Sequence, residues 1–587
     1  MNIDSAKAEN KRTVYIGMIL SILLSVIFIA GMKNAYGIGI INDEFGYWGI
    51  AASFAGKDWS ELLSTTPYYA YGYSMIVTWL YHIFDDPTVI YRVALIMNVI
   101  MIVFSFWIAY KCGKIMFPHL SSECILLVCF AITVYSNNII QAQIAWTETL
   151  LYMLYWLTFY VFLSIIEKTE TKYIIIFACL NAYMYFVHQR TLGVILTSSI
   201  MIIVLLITKK ISIKQVVFYC GIIIALFWAG ENIKADIIEW LFTNKELTAM
   251  NNYSGQVSKV GDIVHSLKGF MLLIQSVLGK LFYLGLSTFL IGFVSLFLLA
   301  KQSLFGGIAF LKSKLKRMDD RTMIALYLFL SYMATFMIAA ISMYQPYGRL
   351  DLLLYGRYME FAIGPLLLIG IVAVIQKKVK LHFYIISIIC LILTAIMVNT
   401  VYLSLETSIY NGICISTLVY FFDNMKQVNG LSYQIVIIIT AIILLIIMLL
   451  QNKNSKRNVS LIIVILLAVS WIKLGDYDGI GNLQKSVKNN VKTISEKIAG
   501  LEGQYDIYVL KDETGINTIA KYFQYYLPEF AVHIVDNIDE EKENALYIAD
   551  KDRYELYKNK IILEKKNDIT VFTSNKNRNI LNKWSAE

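Results

Sequence analysis

The run Ile41-Asn42-Asp43-Glu44-Phe45-Gly46-Tyr47-Trp48 places two adjacent carboxylates about a dozen residues beyond an apolar stretch over 14–32. An acid pair so close to a membrane-length apolar segment marks a loop at a membrane face. Carboxylates held there can accept a proton from a hydroxyl, bind a cation or anchor an acceptor. The rest of the composition agrees with that placement. Of the 587 residues, 58% are hydrophobic and 16% charged, and the mean hydropathy of +0.60 is too high for a soluble protein. A net charge of +9 would suggest nucleic acid in a soluble chain. Here the basic residues fall in short loops between apolar runs, so the charge reads as membrane topology and no nucleic-acid partner is expected.

About thirteen spans are predicted, near 14–32, 88–110, 123–141, 147–166, 173–188, 191–208, 215–231, 281–300, 322–343, 359–376, 381–400, 433–451 and 459–474. With the N-terminus in the cytoplasm, alternate loops collect Lys111 and Lys114, Lys209, Lys210 and Lys214, the cluster from Lys312 to Arg321, Lys377, Lys378 and Lys380, and Lys453, Lys456 and Arg457. The opposite face receives Asp43, Glu44, Asp58, Glu61, Asp85 and Asp86 in a first outer loop over 33–87. The first apolar run has no small-residue cleavage pattern, so it is expected to be a retained anchor.

From residue 475 onward the chain turns polar. Leu483, Val487, Val491, Ile494, Ile498 and Leu501 recur at helical spacing, and short β-rich runs follow. The expected fold is therefore an α-helical polytopic membrane protein over 1–474, with a small extracytoplasmic α/β domain over 475–587. The cysteines lie mostly in or beside spans and suggest neither a disulfide framework nor a zinc site.

Ionisable residues gather at the outer face: Arg92 inside the second span, Glu148 opening the fourth, His188 and Arg190 in a tight connection, and Arg349, Asp351, Arg357 and Glu360 before a later span. Each costs at least a few kcal/mol near a bilayer unless it pairs or lines a polar cavity, so several at one level suggest a site. Guanidinium forks suit phosphate, and carboxylates suit hydroxyl activation. Each residue also has a plainer reading. An acid pair can be a solvated patch, and an arginine can snorkel to headgroups. The aromatic density at Tyr47, Trp48, Trp59, Tyr68, Tyr69, Tyr71 and Tyr73 suits an interfacial belt as well as a sugar platform.

The stretch from Asp43 to Asn98 resembles the opening of the GT-C class of membrane glycosyltransferases, which includes protein O-mannosyltransferases and the lipid A aminoarabinose transferases. The likeness lies in the acid pair after the first span, the aromatic and small residues from Phe45 to Gly56, Pro67-Tyr68-Tyr69-Ala70-Tyr71-Gly72-Tyr73, and Tyr91-Arg92-Val93 opening the second span. Pro67-Tyr68 stands where many relatives carry Pro-Pro. Trp146-Thr147-Glu148-Thr149 and Leu354-Tyr355-Gly356-Arg357-Tyr358-Met359-Glu360 agree in kind.

The resemblance implies transfer of a sugar from a polyprenyl-phosphate donor to a cell-envelope acceptor, with inversion, on the outer face of the plasma membrane. Asp43, with Glu44 beside it, would be the base. Arg92, Arg190, Arg349 and Arg357 would hold donor phosphate, and Glu148, His188, Asp351, Glu360 and Tyr47 would contact substrate. No cofactor or metal cluster is expected, although two carboxylates could hold a divalent ion. The rivals are a lipid-linked glycan polymerase or ligase, and a transporter or flippase. The last would be expected to show repeat symmetry or paired broken helices, and neither is visible in the sequence.

Overall fold

A computed structural model describes residues 3–32, 35–244, 253–315, 317–344, 350–404, 412–421, 430–452, 456–475 and 485–501, and then 505–512, 515–538, 542, 544–550, 560–566, 569–577 and 579–584. Arg349 and Leu483 lie outside the described residues.

The bundle begins with α1 (Ile3–Gly31). The first outer loop then folds into α2 (Ile41–Phe54) and several shorter helices. It ends at α3 (Pro87–Met116), where Asp86 caps the Thr88 N–H at 2.7 Å and Pro87 supplies a preset φ in the first turn. Next come α4 (Ser122–Thr133), α5 (Ser136–Ala142), α6 (Thr147–Lys168), α7 (Thr171–Val187), α8 (Leu192–Ile207) and α9 (Ile213–Leu241). The second half holds α10 (Leu267–Ser287), α11 (Ile291–Lys312), α12 (Asp320–Ser342), the short α13 (Arg357–Glu360), α14 (Ile363–Ile375), α15 (Leu381–Ser404), α16 (Gly430–Asn452) and α17 (Lys456–Gly475).

Among the described residues, nine helices are long and apolar enough to cross a membrane. The number reaches eleven if each of two bent pairs is one span, and three shorter apolar helices add to these. The bends, 57° between α4 and α5 and 84° between 351–360 and α14, fall inside the expected spans 123–141 and 359–376.

The expected span at 281–300 is a correction. It straddles the break between α10 and α11. Ser276 of α10 bonds Ala340 O at the end of α12, Lys280 bonds Leu352 O, Tyr283 bonds Glu360, and Ser287 O accepts from Trp471 in the last turn of α17. All these partners lie at the end of the bundle that carries Asp43. α10 therefore runs across that end, and α11 makes the crossing. Hydropathy could not separate the two, because a helix covered by protein on one side and apolar surroundings on the other is as apolar as a span.

The C-terminal unit carries α18 (Lys485–Gly500), α19 (Thr518–Tyr526) and strands β1 (Asp506–Leu510), β2 (Val532–Val535), β3 (Ala545–Asp550), β4 (Ile561–Lys566) and β5 (Ile569–Thr573). The sheet order is β2-β1-β3-β5-β4, with β1 parallel to both neighbours and β5 antiparallel to both of its own. The α/β unit is seated on the first outer loop. Trp59 donates to Pro528 O at 3.2 Å, Tyr525 donates to Pro87 O at 3.0 Å, and Glu61 accepts from the Ile534 N–H at 2.7 Å. The loop's aromatics are consequently core residues. Trp48 and Trp59 are fully buried, and Trp59 stacks on Phe45 at 5.3 Å, so they form neither a lipid-interface belt nor an open platform.

Candidate active site

The two adjacent acids have separate tasks because they lie in the first turn of a helix, where successive side chains point about 100° apart. Ile40, the N-cap of α2, offers no side-chain cap. Glu44 instead reaches back, one oxygen accepting from the N–H groups of Gly39 at 2.6 Å and Ile40 at 2.7 Å while the other accepts from the Tyr91 hydroxyl at 2.6 Å. It thereby satisfies helix-terminal donors that would otherwise be orphaned. Burial pushes its carboxyl above the ordinary value, against those hydrogen bonds and the charge of Lys488.

Asp43 points the other way and keeps a 25% exposed side chain. Its Oδ1 accepts from the Tyr69 hydroxyl at 2.8 Å, and its Oδ2 accepts from Arg357 Nη1 at 2.6 Å. Arg357, held by α13, also donates from Nε to Glu148 Oε1 at 2.6 Å and lies 3.6 Å over the Trp146 ring. The other Glu148 oxygen pairs with Arg190 Nη2. The Arg190 guanidinium sits over the rings of Tyr358 and Phe361.

Four charges thus alternate in one chain, Asp43–Arg357–Glu148–Arg190, drawn from α2, α13, α6 and the turn before α8. Buried charges survive only in such pairing, yet the pairing is incomplete. Arg190 Nε and Nη1, Trp146 Nε1 and Thr149 Oγ1 are buried without a hydrogen-bond partner among the described residues. Unmet donors at this depth suit an acceptor-rich ligand.

His188 Nδ1 accepts the Arg190 N–H at 3.2 Å, and its ring meets Tyr358 edge-on, so it shapes the turn that aims Arg190. Tyr47 is buried with its ring 5.2 Å from Tyr69. Glu360, one turn beyond Arg357, accepts from Tyr135 at 2.9 Å and from Tyr283, outside the alternating chain. Asp351 is buried in the short helix Leu350–Leu353. Two of the expected residues stand apart from the alternating chain. Arg92 is exposed on α3, because the face of that helix turned inward is the one carrying Tyr91 and Leu95. Glu44 is fully enclosed by its capping partners.

The charges close on each other, and the cavity beside Glu148, lined by Asn137, Asn138, Gln141 and Thr149 among others, has about 10 Å³, roughly the room one water needs. Among the described residues no three of His, Cys, Asp and Glu gather as metal ligands. Asp43 and Glu148 face each other only through Arg357.

Tyr69 and Trp146 are site residues that the sequence did not single out for that role. Both stood in noted motifs, Pro67 to Tyr73 and Trp146 to Thr149, but nothing local showed which ring would meet Asp43 or Arg357.

No family model and no curated protein sequence matches the chain. Among solved structures, ArnT from Cupriavidus metallidurans bound to undecaprenyl phosphate is 11% identical, with a TM-score of 0.51 over 94% of this chain and 97% of that one. The chain shares the fold of this ArnT structure. The apo state of the same protein matches over the same shares at 11% identity with a TM-score of 0.49. The oligosaccharyltransferase AglB from Archaeoglobus fulgidus, in complex with an inhibitory peptide and a dolichol-phosphate, is 9% identical over 92% of this chain and 69% of that one, at a TM-score of 0.40. The likeness to ArnT covers 94% of this chain, and at 11% identity it is a likeness of fold.

Proposed function

We propose that this protein is a glycosyltransferase that moves a sugar from a polyprenyl-phosphate carrier to a cell-envelope acceptor, with inversion, at the face bearing Asp43. The observation that carries the reading is the Asp43–Arg357–Glu148–Arg190 chain. It joins a partly exposed carboxylate, through Arg357, to the Arg190 guanidinium with its unmet donors, inside a fold shared with a protein solved bound to undecaprenyl phosphate.

In the resting state Arg357 bridges Asp43 and Glu148. An entering phosphate competes for that guanidinium, and as Arg357 turns toward it the Asp43 Oδ2 is freed to face the acceptor. The acceptor O–H then gives its proton to Asp43 while its oxygen bonds the anomeric carbon from the face opposite the phosphate. The C–O bond to the carrier breaks, and its electron pair leaves on the phosphate oxygen. Arg190 and Arg357 stabilise that growing charge. Glu148 takes no proton in this scheme and holds the two arginines in register.

The segregation of basic loops to the opposite end of the bundle supports a cytoplasmic N-terminus and an extracytoplasmic site and α/β domain in the plasma membrane. The test is mass spectrometry of envelope glycans from cells with the wild-type gene, without it, and with Asp43→Asn. A sugar lost on deletion and fully restored by Asp43→Asn would remove the proposed base.

A further inference from the structure

Asp43 stands between two residues that are each approached by a buried lysine of the C-terminal unit. On one side, Lys521 of α19 donates to Asn42 Oδ1 at 2.9 Å. On the other, Lys488 of α18 faces Glu44 across a small cavity they line together with Gly39 and Tyr91. A β-carbon placed on Gly39 would lie 3.7 Å from Glu44 Oε2 and 3.9 Å from Lys488 Nζ. That cavity of about 10 Å³ has roughly the room of one bridging water.

Neither ammonium is where a lysine would settle by default. Lys521 is 0% and Lys488 1% exposed, and among the described residues no carboxylate comes within ion-pair distance of either. Burying an ammonium without a contacting carboxylate is expensive. Both also lie at the N-terminal end of α2, the positive end of its dipole, where a cation is disfavoured. What offsets this is partly the first turn itself, through the Asn42 acceptor for Lys521 and the Glu44 charge near Lys488, and partly the charge of Asp512 near Lys521 and the Tyr36 ring 5.6 Å from Lys488. The lysines and that turn therefore specify each other. Rolling or sliding α2 would take the Asn42 acceptor from Lys521 or move the Glu44 charge away from Lys488.

We infer that Lys488 and Lys521 are positioning residues for Asp43, and that the C-terminal α/β unit is an integral part of the active site because it clamps the first turn of α2 from both sides. The inference rests on Asp43 acting as the base. The geometry gives the clamp a second consequence. Rotation of α2 by one residue's angle, about 100°, would carry Asp43 into the direction now taken by Glu44, turning the base into the capping cleft. Tyr69 and Arg357 hold Asp43 from the membrane-domain side, so the two units meet on one carboxylate.

The experiment uses the full chain in detergent with four variants, Lys488→Gln, Lys521→Gln, the double variant, and Lys521→Arg. Each is read by steady-state transfer kinetics and by hydrogen exchange over residues 41–48. The double variant is expected to lose at least about tenfold in kcat with KM for the lipid donor changed less than about threefold. Amides of the first turn of α2 should exchange at least about tenfold faster. Lys521→Arg should recover most of the rate, since it keeps a buried cationic donor. Unchanged exchange over 41–48 in the double variant overturns the clamp whatever the activity. Accelerated exchange with unchanged kcat overturns the link between clamp and catalysis. If the double variant does not fold, the single glutamines carry the same two readouts. Wild-type activity in Asp43→Asn would sink the reading of Asp43 as base while leaving the exchange result to decide the clamp alone.

Discussion

Asp43 and Glu44 differ by one position and by their whole environment, and their substitutions should differ in kind. Asp43→Asn keeps size and a hydrogen bond from Tyr69 but removes the proton acceptor, so kcat should fall by at least about 10²-fold with little change in donor binding. Glu44→Ala strips two backbone N–H groups and the Tyr91 hydroxyl of their acceptor. It should cost about 1–3 kcal/mol for a lost acceptor of this type, seen as a lower midpoint of thermal unfolding. A Glu44→Ala protein with wild-type stability would contradict the capping role. Arg357 offers a sharper comparison. Its Nε and Nη1 serve two carboxylates at once in a fixed fork while its plane lies on Trp146. Lysine can reproduce the charge but neither the fork nor the stack. Arg357→Lys should therefore be nearly as inactive as Arg357→Ala, with a raised KM for the lipid donor, and recovery of half the wild-type rate by lysine would argue against the fork.

Elements are held to each other by a few close approaches. α2 can bring its first turn to Tyr69 because residue 46 is glycine. A β-carbon there would fall 2.2 Å from the Tyr69 ring, so Gly46→Val should displace the ring, break its bond to Asp43, and lower kcat by about tenfold or more, the scale expected when a positioning contact slips. A second contact, between the α/β unit and the first outer loop, is sensitive to pH. Glu61 accepts from His533 Nδ1 at 2.7 Å and from the Ile534 N–H.

The hydrogen bond to Glu61 raises the His533 imidazole above its ordinary 6.5, against partial burial. Burial pushes Glu61 up, but the His533 and Ile534 hydrogen bonds outweigh it and leave the carboxyl below its ordinary 4.5. A raised histidine contributes stability that is complete below its unfolded value and is lost as pH rises through the folded one. A lowered carboxylate contributes above its unfolded value and loses that stability as pH falls through the folded one. The clasp should therefore be tightest between about pH 4.5 and 6.5 and loosen as pH rises beyond that window. Both side chains are more than a third exposed, so the effect is at most about 1 kcal/mol. Limited proteolysis of the α/β unit at pH 5.5 and 8.5 should show faster release at the higher pH in wild type and no difference in His533→Ala.

Over the whole molecule, the bundle has two chemically distinct ends. One carries the lysine- and arginine-rich loops, tied together by pairs such as Lys210–Asp320 at 2.6 Å, and the other carries Asp43, the α/β unit and the α10 crossing. If the second end is extracytoplasmic, a single cysteine placed at position 58 or 529 of a cysteine-free chain should react with a membrane-impermeant maleimide in intact cells. One placed at position 314 should react only after permeabilisation. The reverse pattern would move the active site to the cytoplasmic face and rule out an outer-leaflet carrier as donor.

Much of this was decided by local sequence. A run of apolar residues either is or is not long enough to bury its backbone in lipid, and that property needs no neighbours. Hence the bundle, the polar C-terminal unit with its five strands, and the acid pair beyond α1 could all be read directly. That Glu148, Arg190 and Arg357 would need partners could be read too, because an ionisable residue at the mouth of an apolar run has few stable alternatives to pairing. What the chain could not disclose is direction. Whether Asp43 or Glu44 meets Arg357 depends on the rotation of α2, which Tyr69, Lys488 and Lys521 set from distant positions. Arg92 falls outside for the same reason, since the packing of α3 turns its Tyr91 face inward. α10 lies across the bundle rather than through it because its hydrogen-bonding partners all sit at one end, and the aromatics of the first loop became core only when the α/β unit closed over them. Hydropathy and charge act residue by residue and are written locally, whereas the facing of a side chain is a property of long-range packing, and only the tertiary structure contains it.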